Sequence, residues 1–195
     1  MITTVSQQVF ASRSGQQVRV RPLLPGDVPY LVDLFENMSP ESRYHRFLQP
    51  TDQLDIERIW AEAESITTGA AGETHGFIAF SDIGGRTDVP VAVARYVKIA
   101  DSKAEMAVSV RDDVHNQGIG TALMRILVAH AAENGMTQLM GMALNDNTAV
   151  FSLLGKLGYR LERILEGNSS EIILHLDEPG GPMTVRAQDE DHPSK

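Results

Sequence analysis

The sequence predicts an α/β fold built on one mixed central sheet of about six to seven strands, with helices on both faces, and three observations carry that reading. Short runs rich in β-branched residues alternate with apolar-periodic stretches, and Gly, Asn and Asp clusters separate them. A β-type run at Ala104–Val110 leads into Gly118-Ile119-Gly120, then a helix, then a second run at Thr137–Leu144. A strand–helix–strand unit of that length implies parallel pairing with a right-handed crossover. Finally, 195 residues with 42% hydrophobic content suit one core and fall short of two domains and a linker.

In chain order, residues 1–16 are polar and read as a frayed start, and Val18–Arg21 alternates like a strand that ends at Pro22. Asp27 is placed to cap a helix carrying Leu31, Leu34, Phe35 and Met38. A short helix spans Pro40–Phe47. A third starts at Thr51 or Asp52 and buries Ile56, Ile59, Trp60 and Ala63, before a loop at Gly69–Gly72. Strands follow at Gly76–Ser81, Val91–Ile99 and Ala104–Val110, with turn chemistry at Gly84-Gly85 and Asp101-Ser102. The helix after Gly120 repeats Ile119, Leu123, Ile126 and Leu127 on one face and stops at Asn134-Gly135. After the Thr137–Leu144 strand, Asn145 or Asp146 caps a helix with Val150, Leu153, Leu154 and Leu157, ended by Gly158. Tyr159–Leu165 and Glu171–Leu176 complete the sheet around a Gly167-Asn168 turn. Residues 177–195 lack an apolar period and read as a disordered tail.

Several function classes are excluded by composition. A net charge of −9 is wrong for a module that grips nucleic-acid phosphates. The chain has no cysteine, so thiol catalysis and cysteine-ligated metals are out. No run approaches the roughly 20 apolar residues of a membrane span, and a cytoplasmic protein is expected. The histidines show no HExxH or other ligand spacing, so no metal is implied.

The Gly118-Ile119-Gly120 turn is an anion-binding layout, because glycines let backbone approach a ligand and a helix start presents unpaired N–H groups at its positive end. A Rossmann fingerprint would need glycine where Leu123 stands, and no Gly-Lys-Ser/Thr of a P-loop is present. The segment Val108–Met124 instead resembles the pyrophosphate grip of the GNAT superfamily of acetyl-CoA-dependent N-acetyltransferases. Leu144–Tyr159, LNDNTAVFSLLGKLGY, is similar to that family's later helix and strand start. Met38–Phe47, MSPESRYHRF, resembles a segment of its bacterial Pat-type protein-lysine acetyltransferases. Together the matches span most of residues 17–176.

The resemblance implies a V-shaped opening that takes acetyl-CoA, and an acceptor that is a protein lysine or a small amine. Amine acetylation must first remove a proton: a lysine of pKa about 10.4 at pH 7 leaves roughly 4–5 kcal/mol to overcome. Glu105, a carboxylate among the apolar neighbours Ala104, Met106, Ala107 and Val108, matches the family's general base. The resemblance assigns the pantetheine arm to backbone groups of Val108 and Val110, and the pyrophosphate to His115, Gln117, Gly118, Ile119, Gly120 and Thr121. His115 stands where the family usually carries Gln or Arg, which implies weaker or pH-dependent cofactor binding. Asn145 and Asn147 either contact the pantetheine or cap the following helix. Arg43 and Arg46 are candidates for acceptor or cofactor contact, while Tyr44 and Phe47 are expected in the core. Leu154 occupies the place of a tyrosine acid common in the superfamily, an absence shared with Pat-like proteins. A catalytically weak acyl-CoA-binding sensor is the competing class. Monomer and homodimer both remain open.

Overall fold

The computed structural model describes residues 7–48, 56–68 and 73–187. Nine strands form one sheet in the order β1-β2-β3-β4-β5-β6-β8-β7-β9. They are β1 (Gln8–Ala11), β2 (Gln17–Pro22), β3 (Thr74–Ile83), β4 (Arg86–Ala100), β5 (Lys103–Val110), β6 (Gln138–Leu144), β7 (Tyr159–Glu166), β8 (Ser169–Pro179) and β9 (Thr184–Ala187). The helices are α1 (Val28–Glu36), α2 (Pro40–Phe47), α3 (Ile56–Thr68), α4 (Ile119–Glu133) and α5 (Thr148–Gly155).

Strand alternation sends side chains to two cores. On β3, Phe77 and Ala79 join α4 and α5 residues, including Leu123, Leu127 and Leu154, on one face. Ile78 and Phe80 join Leu31, Leu34 and Phe35 of α1 and Ile59, Ala63 and Ile66 of α3 on the other. Gly84 and Gly85, with φ of 60° and 79°, make the tight hairpin turn between β3 and β4 that few other residues tolerate. The expected parallel pairing is present: β5 runs alongside β6, with α4 between them in sequence.

Several expectations need correction: the sheet has nine strands among the described residues in place of six to seven, and α5 is capped by Asn147 in place of Asn145 or Asp146. The start of the chain is not frayed from residue 8 onward, because β1 pairs along its length with β2 and tucks Phe10 against the core. Such an edge strand needs one inward apolar residue and backbone pairing, so its polar composition hides it. Likewise the tail is ordered to Ala187: β9 pairs in parallel with β7, and Arg186 Nε donates to Glu162 Oε1 at 2.6 Å. Trp60 and Ile56 are exposed, since the stripe that α3 buries is Ile59, Ala63 and Ile66. The proposed start of that helix at Thr51 or Asp52, the Gly69–Gly72 loop, residues 1–6 and residues 188–195 lie outside the described residues. Asp27 precedes α1 but does not cap it with its side chain. Its buried carboxylate takes a two-pronged Arg21 contact (2.6 and 2.8 Å) and the Leu24 amide, which ties β2 to α1.

Candidate active site

The strands β5 and β6 pair only over Lys103–Glu105 and Gln138–Met140, then separate. What the open arms present follows from ladder geometry. The Arg111 amide donates to the Val91 carbonyl at 2.9 Å, so by antiparallel alternation Ser109, Ala107 and Glu105 direct their backbone to β4. Met106, Val108 and Val110 therefore turn theirs into the opening. Gly141 confirms the orientation on the opposite arm, where a Cβ would lie 3.2 Å from the Met106 carbonyl. A cavity of about 540 Å³ fills the V, lined by Glu105–Val108, Met140–Ala143, the end of α2, and Asn147, Val150 and Leu154. Glu105 stands at the apex, opposite Met140 in the last pair before the strands part.

Beyond β5, residues 111–118 form a loop fastened to neighbouring elements by side chains and by main chain, with Val114 buried in the core. Asp112 accepts from the Ser39 amide (2.8 Å), the Ser39 hydroxyl (2.8 Å) and the Ser42 hydroxyl (2.7 Å). Burial alone would raise the Asp112 pKa, but these donors hold it below the usual carboxylate value. Ser39 also caps α2 by accepting from the Ser42 amide, so the Ser-Pro-Glu-Ser segment is the joint between α2 and the loop. Arg111 is forked onto Asp113 at 3.0 and 2.9 Å. His115 donates from Nε2 to the Val110 carbonyl at 2.9 Å, which turns its ring onto the end of β5. Gln117 accepts from the Ser14 hydroxyl and, through its carbonyl, from the Arg13 amide.

Gly118 then adopts φ of 84°, and α4 begins with no side-chain cap. Its first intrahelical bond is Ala122 N–H to the Gly118 carbonyl, at 3.0 Å, so the amides of Ile119, Gly120 and Thr121 precede the helical ladder. Gly120 serves packing as well: a Cβ there would lie 2.9 Å from Leu153 Cδ1 and 3.0 Å from Val110 Cγ2.

On the second arm, Asn145 is fully occupied by structure. Its amide group donates to the Gly167 carbonyl at 2.9 Å, and its Oδ1 accepts from Arg163 (2.8 Å) and Ser170 (2.5 Å). Asn147 caps α5 through the Val150 amide and also lines the cavity. His45 of α2 bridges to Asp146 at 3.3 Å, closing one side of the mouth.

The α2 segment divides its candidates. Arg43, expected at the acceptor or the cofactor, is not part of the cavity lining and donates to the carbonyls of Met38 (3.0 Å) and Glu36 (3.1 Å), closing the end of α1. Arg46 does line the cavity, 3.2 Å from Glu62. Burial lowers its pKa, with the Glu62 charge opposing. Phe47 packs edge-on against Phe35, whereas Tyr44 joins neither core. Sequence reading missed Glu62, Arg95 and His45, which complete the polar wall. A charged residue on the covered side of a helix or strand was the available signal, and Arg95 within the apolar β4 run carried it most plainly.

Among the described residues, His175, Asp177 and Glu178 are close enough to share a metal ion, but Arg160 engages both His175 and Glu178. No described helix is long and apolar enough to cross a membrane.

A V-shaped parting of parallel strands, followed by an uncapped glycine-led helix, defines an acyltransferase architecture, and the family comparison agrees. Residues 17–160 match the model for the acetyltransferase (GNAT) domain, and the chain belongs to that family. It is 29% identical over 167 residues to the acetyltransferase Pat of Mycolicibacterium smegmatis, a match that covers 80% of this chain and 44% of that protein. An acetyltransferase of Pseudomonas aeruginosa is 25% identical over 162 residues, covering 83% of each chain. Among solved structures, the GNAT domain of S. lividans PAT superposes with a TM-score of 0.72 at 26% identity, covering 87% of this chain and 96% of that one. An N-acetyltransferase of Thermoplasma acidophilum solved with coenzyme A shares the fold, with a TM-score of 0.59 at 16% identity, covering 81% of this chain and 98% of that one.

Proposed function

We propose that this chain transfers the acetyl group of acetyl-CoA to a primary amine, a protein lysine first, by direct attack with Glu105 as general base. The observation that carries the proposal is the parting of β5 and β6 immediately after the Glu105–Met140 pair, with a carboxylate at the apex of a cavity. The pantetheine arm pairs with the backbone of Val108 and Val110 like an added strand. His115 takes the Val110 carbonyl, so Val108 is the better-placed partner. The pyrophosphate rests on the free amides of Ile119, Gly120 and Thr121, with Gln117 and Gly118 shaping the approach. Asn147 borders the arm from the other side.

Glu105 accepts the ammonium proton, directly or through a water, and the amine attacks the thioester carbonyl carbon. The Val108 amide faces the same space and donates to the developing oxyanion. As the tetrahedral intermediate collapses, the C–S bond breaks and the attacking nitrogen gives its second proton to solvent. The expelled CoA thiolate takes a proton back from water, since a thiol of pKa about 8.5 needs no strong acid. Leu154 accordingly offers an apolar wall. Arg46, braced by Glu62, orients the acceptor. A cytoplasmic setting belongs to the same proposal.

Purified protein with acetyl-CoA should release free thiol in the presence of a lysine peptide. Polyamines and aminoglycosides, run in parallel, test the small-amine reading. Binding of acetyl-CoA without thiol release in any arm would favour the sensor instead.

A further inference from the structure

We propose that Arg13 supplies the fixed positive charge for the phosphates of acetyl-CoA, from a hairpin that precedes the family-matched segment. The inference rests on the cofactor reading above and adds a residue outside the loop. The β1–β2 turn is rigid: the Ser12 amide donates to the Gln16 carbonyl at 2.8 Å, and Gly15 sits at φ of 84°. It is seated on the loop by main chain and by Ser14. The Arg13 amide donates to the Gln117 carbonyl at 3.0 Å, and the Ser14 hydroxyl reaches Gln117 Oε1 at 2.6 Å.

Those contacts carry the Arg13 side chain across the start of α4. Its Cγ and Nε each lie 3.8 Å from where a Gly118 Cβ would be. One N–H group of Nη1 donates to the Asn116 carbonyl at 3.2 Å. The other guanidinium donors have no acceptor, and no carboxylate pairs with Arg13, among the described residues. The charges of the loop itself are already engaged. Arg111 is neutralised by Asp113, Asp112 is held by two serines, and His115 donates to Val110. Arg125, nearly two turns into α4, donates to the Lys156 carbonyl. An exposed guanidinium beside free helix-start amides is the arrangement that recognises a phosphate with charge-assisted hydrogen bonds.

The test compares wild type, Arg13→Gln and Arg13→Lys. Arg13→Gln removes the charge while the hairpin keeps its main-chain and Ser14 seat. Calorimetric titration with coenzyme A should show a dissociation constant raised about 10-fold or more in Arg13→Gln, with Arg13→Lys recovering part of the loss. S-acetylpantetheine, which lacks the phosphates, should serve as donor with unchanged kcat/KM in Arg13→Gln, whereas kcat/KM for acetyl-CoA falls. Equal coenzyme A affinity in wild type and Arg13→Gln overturns the inference. So does an equal loss with both donors, which would make Arg13 merely structural. If wild type itself fails to bind coenzyme A, the cofactor reading falls first. Dephospho-coenzyme A identifies the phosphate: a penalty retained points to the pyrophosphate, and a penalty lost to the 3′-phosphate.

Discussion

The two arms of the V each end in a loop that opens a helix, and the helices begin in opposite ways. At α5, Asn147 accepts from the Val150 amide, so a side chain of the protein itself fills the helix start. At α4, Gly118 caps nothing, and the first amides stay open. The anchoring differs to match. Asn145 fastens the second arm to the adjacent β7–β8 turn, only 18 to 25 residues away in sequence. The first arm is fastened from outside, by Ser39 and Ser42 some 70 residues before Asp112 and by the β1–β2 hairpin 103 residues before Gln117. A backbone anion site must leave its amides uncovered, and here distant partners hold the loop that presents them. The second arm has no such demand and can spend its asparagines on itself.

Three changes probe this contrast, ranked by expected effect on affinity and stability. Gly120→Val strikes where the arms meet, since its side chain meets Leu153 of α5 and Val110 of β5 together. We expect a loss of about 1–3 kcal/mol of stability from overpacking and a coenzyme A dissociation constant at least about 10-fold higher. Chemical denaturation and calorimetry on the same protein separate the two.

The sharper pair is Asp112→Ala against Asn145→Ala. Each strands several hydrogen-bonding groups, so each should cost about 1–3 kcal/mol of unfolding free energy. Only Asp112→Ala should also weaken coenzyme A binding, by several-fold, because it frees the loop that presents the open amides. Equal affinity losses in both variants would erase the distinction between the arms.

The smallest effect is a pH dependence at the far end of α4, remote from both loops. His130 is packed by Tyr96, His75 and Phe77, with Glu133 nearby, and its Nδ1 shares a hydrogen bond with the Tyr96 hydroxyl at 3.0 Å. Burial, and then the His75 charge, lower its pKa, while burial pushes the Tyr96 phenol up to about 12. A histidine whose pKa is lower folded than unfolded binds more protons when unfolded. Its neutral form therefore supports the fold above pH ~6.5, and that support is lost as pH falls through and below this value. The Tm should be lower at pH 5.5 than at pH 7.5, and His130→Gln should flatten the difference. An unaltered slope in the variant would assign the pH dependence to other groups.

Local patterning made the strand–helix–strand unit readable, along with the parallel pairing and the bounds of α2 at Pro40–Phe47. These follow from apolar period and capping chemistry that neighbouring residues share. What stayed hidden was long-range. The edge strands β1 and β9 are held by backbone pairing and one or two side chains, which leave no periodic trace. Arg43 and Asn145 carried the right chemistry for ligand contact, yet tertiary packing aims them at carbonyls of Glu36, Met38 and Gly167. The anchors of the first loop were unreadable for the same reason. Asp112 and Ser39 look like ordinary loop and cap residues until the fold brings them within 2.8 Å.

The claim on which the rest depends is that the cofactor lies in the V with Glu105 at its reactive end. Glu105→Gln isolates it, since the substitution keeps size and leaves both helix starts untouched. Steady-state turnover with acetyl-CoA and the best amine, measured beside calorimetric affinity for acetyl-CoA, is the direct test. We predict turnover reduced about 10²- to 10⁴-fold with affinity unchanged. Turnover near the wild-type rate would contradict the account.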